Sequence, residues 1–108
     1  MNEIKFDQNW NNKLNNRIFT TIRYAKPGKY RYYYENLNKQ FNMVLKGEMY
    51  GKAILISAED ILFKDIDVNL MMVDTGEHDP GKIADIFKKC GFGDENDEAL
   101  LLAFRRIA

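Results

Sequence analysis

Apolar residues recur along the chain in two rhythms, a helical one near the start and an alternating one after it. Phe6, Trp10 and Leu14 stand four apart, which lines one helical face and predicts a helix over residues 7–15. Asparagines at 11, 12, 15 and 16 compete for backbone hydrogen bonds, so that helix should end near Asn16. Ile18 to Tyr24 is rich in β-branched and aromatic residues and predicts a strand. Lys26-Pro27-Gly28-Lys29 is a turn, and Tyr30 to Tyr34 reads as a second extended segment.

Phe41 to Lys46 predicts a further strand. Gly47-Glu48-Met49-Tyr50-Gly51 follows as a hairpin loop bounded by two glycines. Lys52 to Ser57 is its partner, and Ala53-Ile54-Leu55-Ile56 has the near-continuous apolar character of a central strand. Ala58 to Phe63 reads as a short helical turn, while Asp67 to Val73 fits either rhythm. At Asp79-Pro80 an Asp able to cap precedes a Pro suited to the first helical position. Ile83, Ile86, Phe87 and Cys90 form the apolar face of the helix that follows. Lys88 and Lys89 complement its C-terminal dipole, and Gly91 can end it. Ala99 to Arg106 is a last strand. This order predicts a single α+β domain over residues 1–108 with a mostly antiparallel, curled sheet.

Composition narrows the class. An apolar share of 45% over 108 residues supports one hydrophobic core and argues against disorder. One cysteine, Cys90, excludes an internal disulfide framework and a Cys-based zinc knuckle. Met1-Asn2-Glu3-Ile4-Lys5-Phe6 does not read as a signal peptide, and no apolar run has the length of a membrane span. The expectation is a cytoplasmic protein, a monomer or weak homodimer, with no membrane association. The net charge of zero hides a division. Residues 1–56 carry ten Lys or Arg against four Asp or Glu, and residues 57–108 carry six against twelve. That split suggests a basic face able to meet an anion.

Candidate chemistry concentrates between Arg17 and Tyr34. Arg17, Arg23, Lys26, Lys29 and Arg31 stand among Tyr24, Tyr30 and Tyr32, cations for phosphates beside rings that stack on bases. The ordinary alternative is a half-buried Tyr-rich hairpin with solvated charges outside. Strand alternation puts Phe19, Thr21 and Arg23 on one face, where a Thr and an Arg can together hydrogen-bond a phosphate or a base. Asp74-Thr75-Gly76-Glu77-His78-Asp79 gathers three carboxylates and the single histidine, but its spacing matches no EF-hand loop. It reads as a polar loop with Asp79 as a helix cap, or as the rim of a cleft opposite Arg23. No metal or cofactor is expected. Cys90, beside Phe87, reads as a buried structural thiol.

The stretch Asn16-Arg17-Ile18-Phe19-Thr20-Thr21-Ile22-Arg23, placed after the first predicted helix, resembles the Gly-Lys-Lys-Thr-x-Thr-x-Arg-like opening of the ASCH domain, a member of the PUA-like superfamily. Thr21, Ile22 and Arg23 carry the match, and the order of elements extends it over nearly the whole chain. The resemblance implies a small β-barrel flanked by two or three helices and a cleft for RNA or a modified nucleotide. Some small ASCH proteins look like amidohydrolases of acylated cytidine-type nucleosides, with a Thr nucleophile, a Lys activator and an acidic proton carrier. Carried onto this chain, the Thr is Thr21 and the acid falls near Asp74, as Asp rather than Glu. The Lys position falls at Ile18, which cannot activate a hydroxyl, and the adjacent Arg17 is always charged and a poor base. The leading expectation is therefore an RNA- or nucleotide-binding module without catalysis. The hydrolase built on Thr21 and Asp74 is the alternative, and a protein-interaction module using the acidic half is a second.

Overall fold

The computed structural model describes residues 2–108 and is an α+β domain built on one mixed five-stranded sheet. Its strands are β1 (Asn2–Phe6), β2 (Ile18–Tyr24), β3 (Gln40–Leu45), β4 (Glu48–Leu62) and β5 (Glu98–Arg106), with helices α1 (Lys29–Glu35), α2 (Val68–Thr75) and α3 (Pro80–Lys89). The spatial order is β1-β3-β4-β5-β2. Among the described residues only the β1–β3 ladder is parallel; β3–β4, β4–β5 and β5–β2 are antiparallel, so the sheet is mostly antiparallel as expected. No helix is long and apolar enough to cross a membrane among the described residues.

Several local expectations are overturned. The predicted helix over 7–15 is a 3-10 segment, Trp10–Asn15, broken by left-handed Asn11 (φ 56°) and Asn12 (φ 54°). Asparagine tolerates that region better than most residues, which is how the chain turns sharply there. Phe6 belongs to β1, where Ile4 and Phe6 point into the core and Glu3 and Lys5 point out. Tyr30 to Tyr34 is helical rather than extended. It follows left-handed Gly28 (φ 82°), is supported by the Arg31–Glu35 pair one turn apart at 2.8 Å, and buries only Tyr33. The β3–β4 hairpin turns at Lys46 and Gly47 alone, both at positive φ (52° and 82°), as a two-residue hairpin favours; Glu48 to Gly51 already belong to β4. Ala58 to Leu62 is strand instead of helical turn, because β5 pairs with it through Leu62↔Glu98 past a bulge at Ile56.

The second half follows expectation more closely. Asp79 accepts from Gly81 N at 2.9 Å, Pro80 opens α3, and Gly91 takes a φ of 109° after it. Asp67 caps α2 by accepting from Asn69 N at 2.7 Å. Ile83 and Phe87 of α3 are buried, but Cys90 is exposed, which overturns its reading as a buried thiol.

Two cores lie on opposite faces of the sheet. Inside the curl, Ile4, Leu14, Phe19, Phe41, Leu55 and Phe104 pack with Tyr33 of α1. On the other face, Ile22, Ile66, Met71, Ile83, Phe87 and Phe92 pack beneath α2 and α3. The curl carries the edge strands β1 and β2 toward each other. Phe6 meets Phe19 edge-on at 6.0 Å, and Arg23 Nη2 donates to the Lys5 carbonyl at 2.7 Å. No ladder joins β1 to β2 among the described residues, so the sheet stays open along this seam.

A candidate ligand cleft at the open seam

A cleft of about 480 Å³ opens at the seam. Lys5, Phe6 and Asp7 form one wall where β1 ends, and Thr21, Arg23 and Tyr24 of β2 form the other. Trp10 and Lys13 come from the 3-10 segment, Lys26 from the turn before α1, Lys29 from the first position of α1, Asp74 from α2, and Lys89 and Cys90 from the end of α3.

The floor is the ion pair between Lys13 Nζ and Asp74 Oδ1, 2.8 Å apart. The two residues are only 5% and 3% exposed, which makes this a buried pair rather than a surface one. Thr20 Oγ1 donates to the same carboxylate oxygen at 3.3 Å. Burial pushes the Lys13 pKa down, and the attraction of Asp74 opposes it only in part. The segment that aims Lys13 is pinned on both sides: Leu14 N donates to Asn9 Oδ1 at 2.9 Å, Arg106 Nη1 to the Leu14 carbonyl at 2.6 Å, and Asn11 Nδ2 to the Val73 carbonyl at 3.0 Å.

Arg23 forms the seam wall. Its Nε donates to Thr21 Oγ1 at 3.3 Å, as the shared strand face anticipated, and its guanidinium lies 4.8 Å from the Phe6 ring centre. Burial lowers its pKa from the usual arginine range, yet a guanidinium keeps its charge. Six cationic side chains line the cleft against two carboxylates. Of the six, only Lys13 has an ion-pair partner among the described residues. Five of the six come from residues 1–56, so the basic half of the sequence converges on one place.

The structure divides the residues singled out from sequence. Thr21, Arg23, Tyr24, Lys26, Lys29 and Asp74 all line the cleft. Arg17, Arg31, Tyr30 and Tyr32 do not. Arg17 is exposed at the far end of β2, where its carbonyl accepts from Arg106 N. Arg31 is exposed and paired with Glu35, and Tyr30 lies beside Tyr34 on the outer side of α1. Tyr32 packs edge-on against Phe41 and donates its hydroxyl to Asn2 Oδ1 at 3.1 Å. The basic and aromatic candidates of 17–34 are thus divided between the cleft and the outer side of the helix.

Sequence reasoning missed Lys5, Lys13 and Lys89. Lys5 offered one signal, its polar place in the Ile4–Phe6 alternation. Lys13 offered none, since its partner is 61 positions away. The acidic loop also resolves into separate jobs. Asp74 turns inward to Lys13 and Asp79 caps α3. Glu77 accepts from the backbone N–H groups of Asp79 and His78, which hold its carboxyl below the usual range. No cluster of three potential metal ligands occurs among the described residues. Although its surface is exposed, desolvation by its surroundings pushes the Cys90 thiol up.

In comparisons with known proteins, the chain matches no protein-family model, no curated protein and no solved structure.

Proposed function

We propose that this chain is an ASCH-type, PUA-like module, its curled sheet standing for the small barrel of that architecture, and that it binds a nucleotide or an RNA end in the seam cleft. The observation that carries the reading is the set of five cleft cations without carboxylate partners among the described residues, in a cleft that Trp10 and the edge of Tyr24 also line. Unpaired cations attract phosphate, and aromatic walls accept a base. The cleft volume sits within the range of small-ligand sites. Such a module works in the cytoplasm as a monomer or weak homodimer. The test is titration with short single-stranded RNA and with mononucleotides at two salt concentrations, followed by fluorescence of Trp10, the single tryptophan. Salt-sensitive quenching is expected. Unchanged fluorescence and no heat of binding at low salt would count against the reading.

One observation favours the hydrolase as a second reading. Ile18, at the position where the ASCH pattern has its lysine, is 55% exposed, but Lys13 supplies an ammonium from another segment to the same cleft as Thr21 and Asp74. Its lowered pKa suits an activating group. This reading predicts release of acetate from an N4-acetylated cytidine, lost in Thr21→Ala and in Lys13→Met. Binding without turnover would leave the first reading alone.

A further inference from the structure

We infer that the cleft takes its ligand through a terminal phosphate, the phosphomonoester of a mononucleotide or of an RNA end rather than an internal diester, and that Arg23 grips that phosphate. The inference deepens the nucleotide reading above and rests on it. Arg23 is set in place without a ligand: Nε holds Thr21 Oγ1, Nη2 holds the Lys5 carbonyl, and the plane lies over Phe6. A guanidinium has five N–H donors, so these anchors leave three, two of them on Nη1. Nη1 makes no hydrogen bond among the described residues and is not sealed from solvent. A preset cation with open donors and no carboxylate partner is an oxyanion site. Lys26 and Lys29 line the same cleft and add charge without adding geometry.

Two further features select the monoester. A terminal phosphate carries about −1.5 to −2 charges at neutral pH, more than the single charge of a diester, so a cation cluster favours it. A strand also needs somewhere to continue. Beyond Lys5–Asp7 the surface becomes a second groove, and there Glu3 and Asp7 stand with one cation, Lys5, and the apolar Val44 and Met49. A second phosphate leaving that way would meet two carboxylates against one lysine, a net negative rim. In the other direction Arg31 is already paired with Glu35, and Arg17 lies outside the cleft.

The experiment is calorimetric titration of the full chain. The probes are the four ribonucleosides, their 5′- and 3′-monophosphates, inorganic phosphate, and an eight-residue RNA with and without a terminal phosphate. At least one monophosphate should bind about tenfold or more tighter than its nucleoside, the gain of a charge-assisted hydrogen-bonded contact. Terminal phosphorylation should tighten the RNA comparably. Arg23→Lys should erase both gains, with its fold checked by thermal melting. Because Arg23 also ties the seam, Lys26→Ala/Lys29→Ala, at two exposed positions, gives an independent arm and should reduce the same gains. Equal binding of phosphorylated and unphosphorylated RNA would overturn the inference and leave the nucleotide reading standing. Inorganic phosphate binding as tightly as any nucleotide would overturn it too, as would a nucleoside matching its monophosphate. Absence of binding by every probe would end both.

Discussion

Lys13 and Asp74 meet at 2.8 Å, buried, across 61 positions of sequence, and this pair joins the 3-10 segment to α2 beneath the cleft. A buried pair is costly to assemble and more costly to halve. Asp74→Ala leaves an ammonium in a dry site and should destabilise the fold by about 3–5 kcal/mol. Replacing both partners, as Lys13→Met/Asp74→Leu, removes both desolvation costs and should recover most of that loss. Urea denaturation of the three proteins checks the order; a double variant as unstable as Asp74→Ala would refute the pairing account.

The same pair sets a pH dependence. Burial holds the folded Lys13 pKa below its ordinary 10.5, so the unfolded chain binds more protons between the folded value and 10.5. Stability from this site therefore rises with pH across that window, and the burial cost is present in full only below the folded value. Cys90 and Tyr33 run the opposite way, since burial raises both and the folded state keeps their protons longer. The double variant, with Cys90→Ser placed in both proteins because the charges of Asp74 and Lys13 also act on that thiol, is the proper reference. The protein with the pair intact should gain on it as pH rises from neutral toward 10.5. A constant difference would mean Lys13 titrates as a solvated lysine.

Gly76 tests how the site is held. It sits at φ +74°, and a Cβ there would lie 3.1 Å from the Asn11 side chain, in the segment that carries Lys13. Gly76→Ala should cost about 1–2 kcal/mol from the left-handed backbone alone, with more from the contact. Gly93→Ala, with open space around it, should stay within about 0.5 kcal/mol of wild type. Thermal melts decide between them.

The cations divide sharply in their expected effect on binding. Lys26→Ala and Lys29→Ala should weaken nucleotide binding and flatten its salt dependence, because both line the cleft. Arg31→Ala and Tyr30→Ala should leave it unchanged, because both side chains lie outside it. Equal losses from both sets would point to a diffuse basic surface rather than a cleft.

Which parts of this arrangement were legible depends on how far each contact reaches along the chain. Alternation in β2 put Thr21 and Arg23 on one face, and the structure joins them by a hydrogen bond. Asp79-Pro80 and Gly91 marked α3 because caps are written within a few residues. The tyrosine run misled, since four rings in five residues resemble a strand, while its helix depends on Gly28, the Arg31–Glu35 pair and burial of Tyr33. β1 carried only two inward residues and needed β3, nearly forty positions on, to become a strand. The seam and Lys13 were invisible for the same reason: both exist only once distant segments meet.

The proposed nucleotide site is the cleft between β1 and β2. The most direct test is a series of amide and indole correlation spectra recorded during titration with uridine 5′-monophosphate. Shifts are expected at Lys5–Asp7, Thr21–Tyr24, Lys26, Lys29 and the Trp10 indole, while Arg17 and Tyr30–Arg31 stay in place. Shifts confined to Arg17 and the outer side of α1, or none at millimolar ligand, would contradict it.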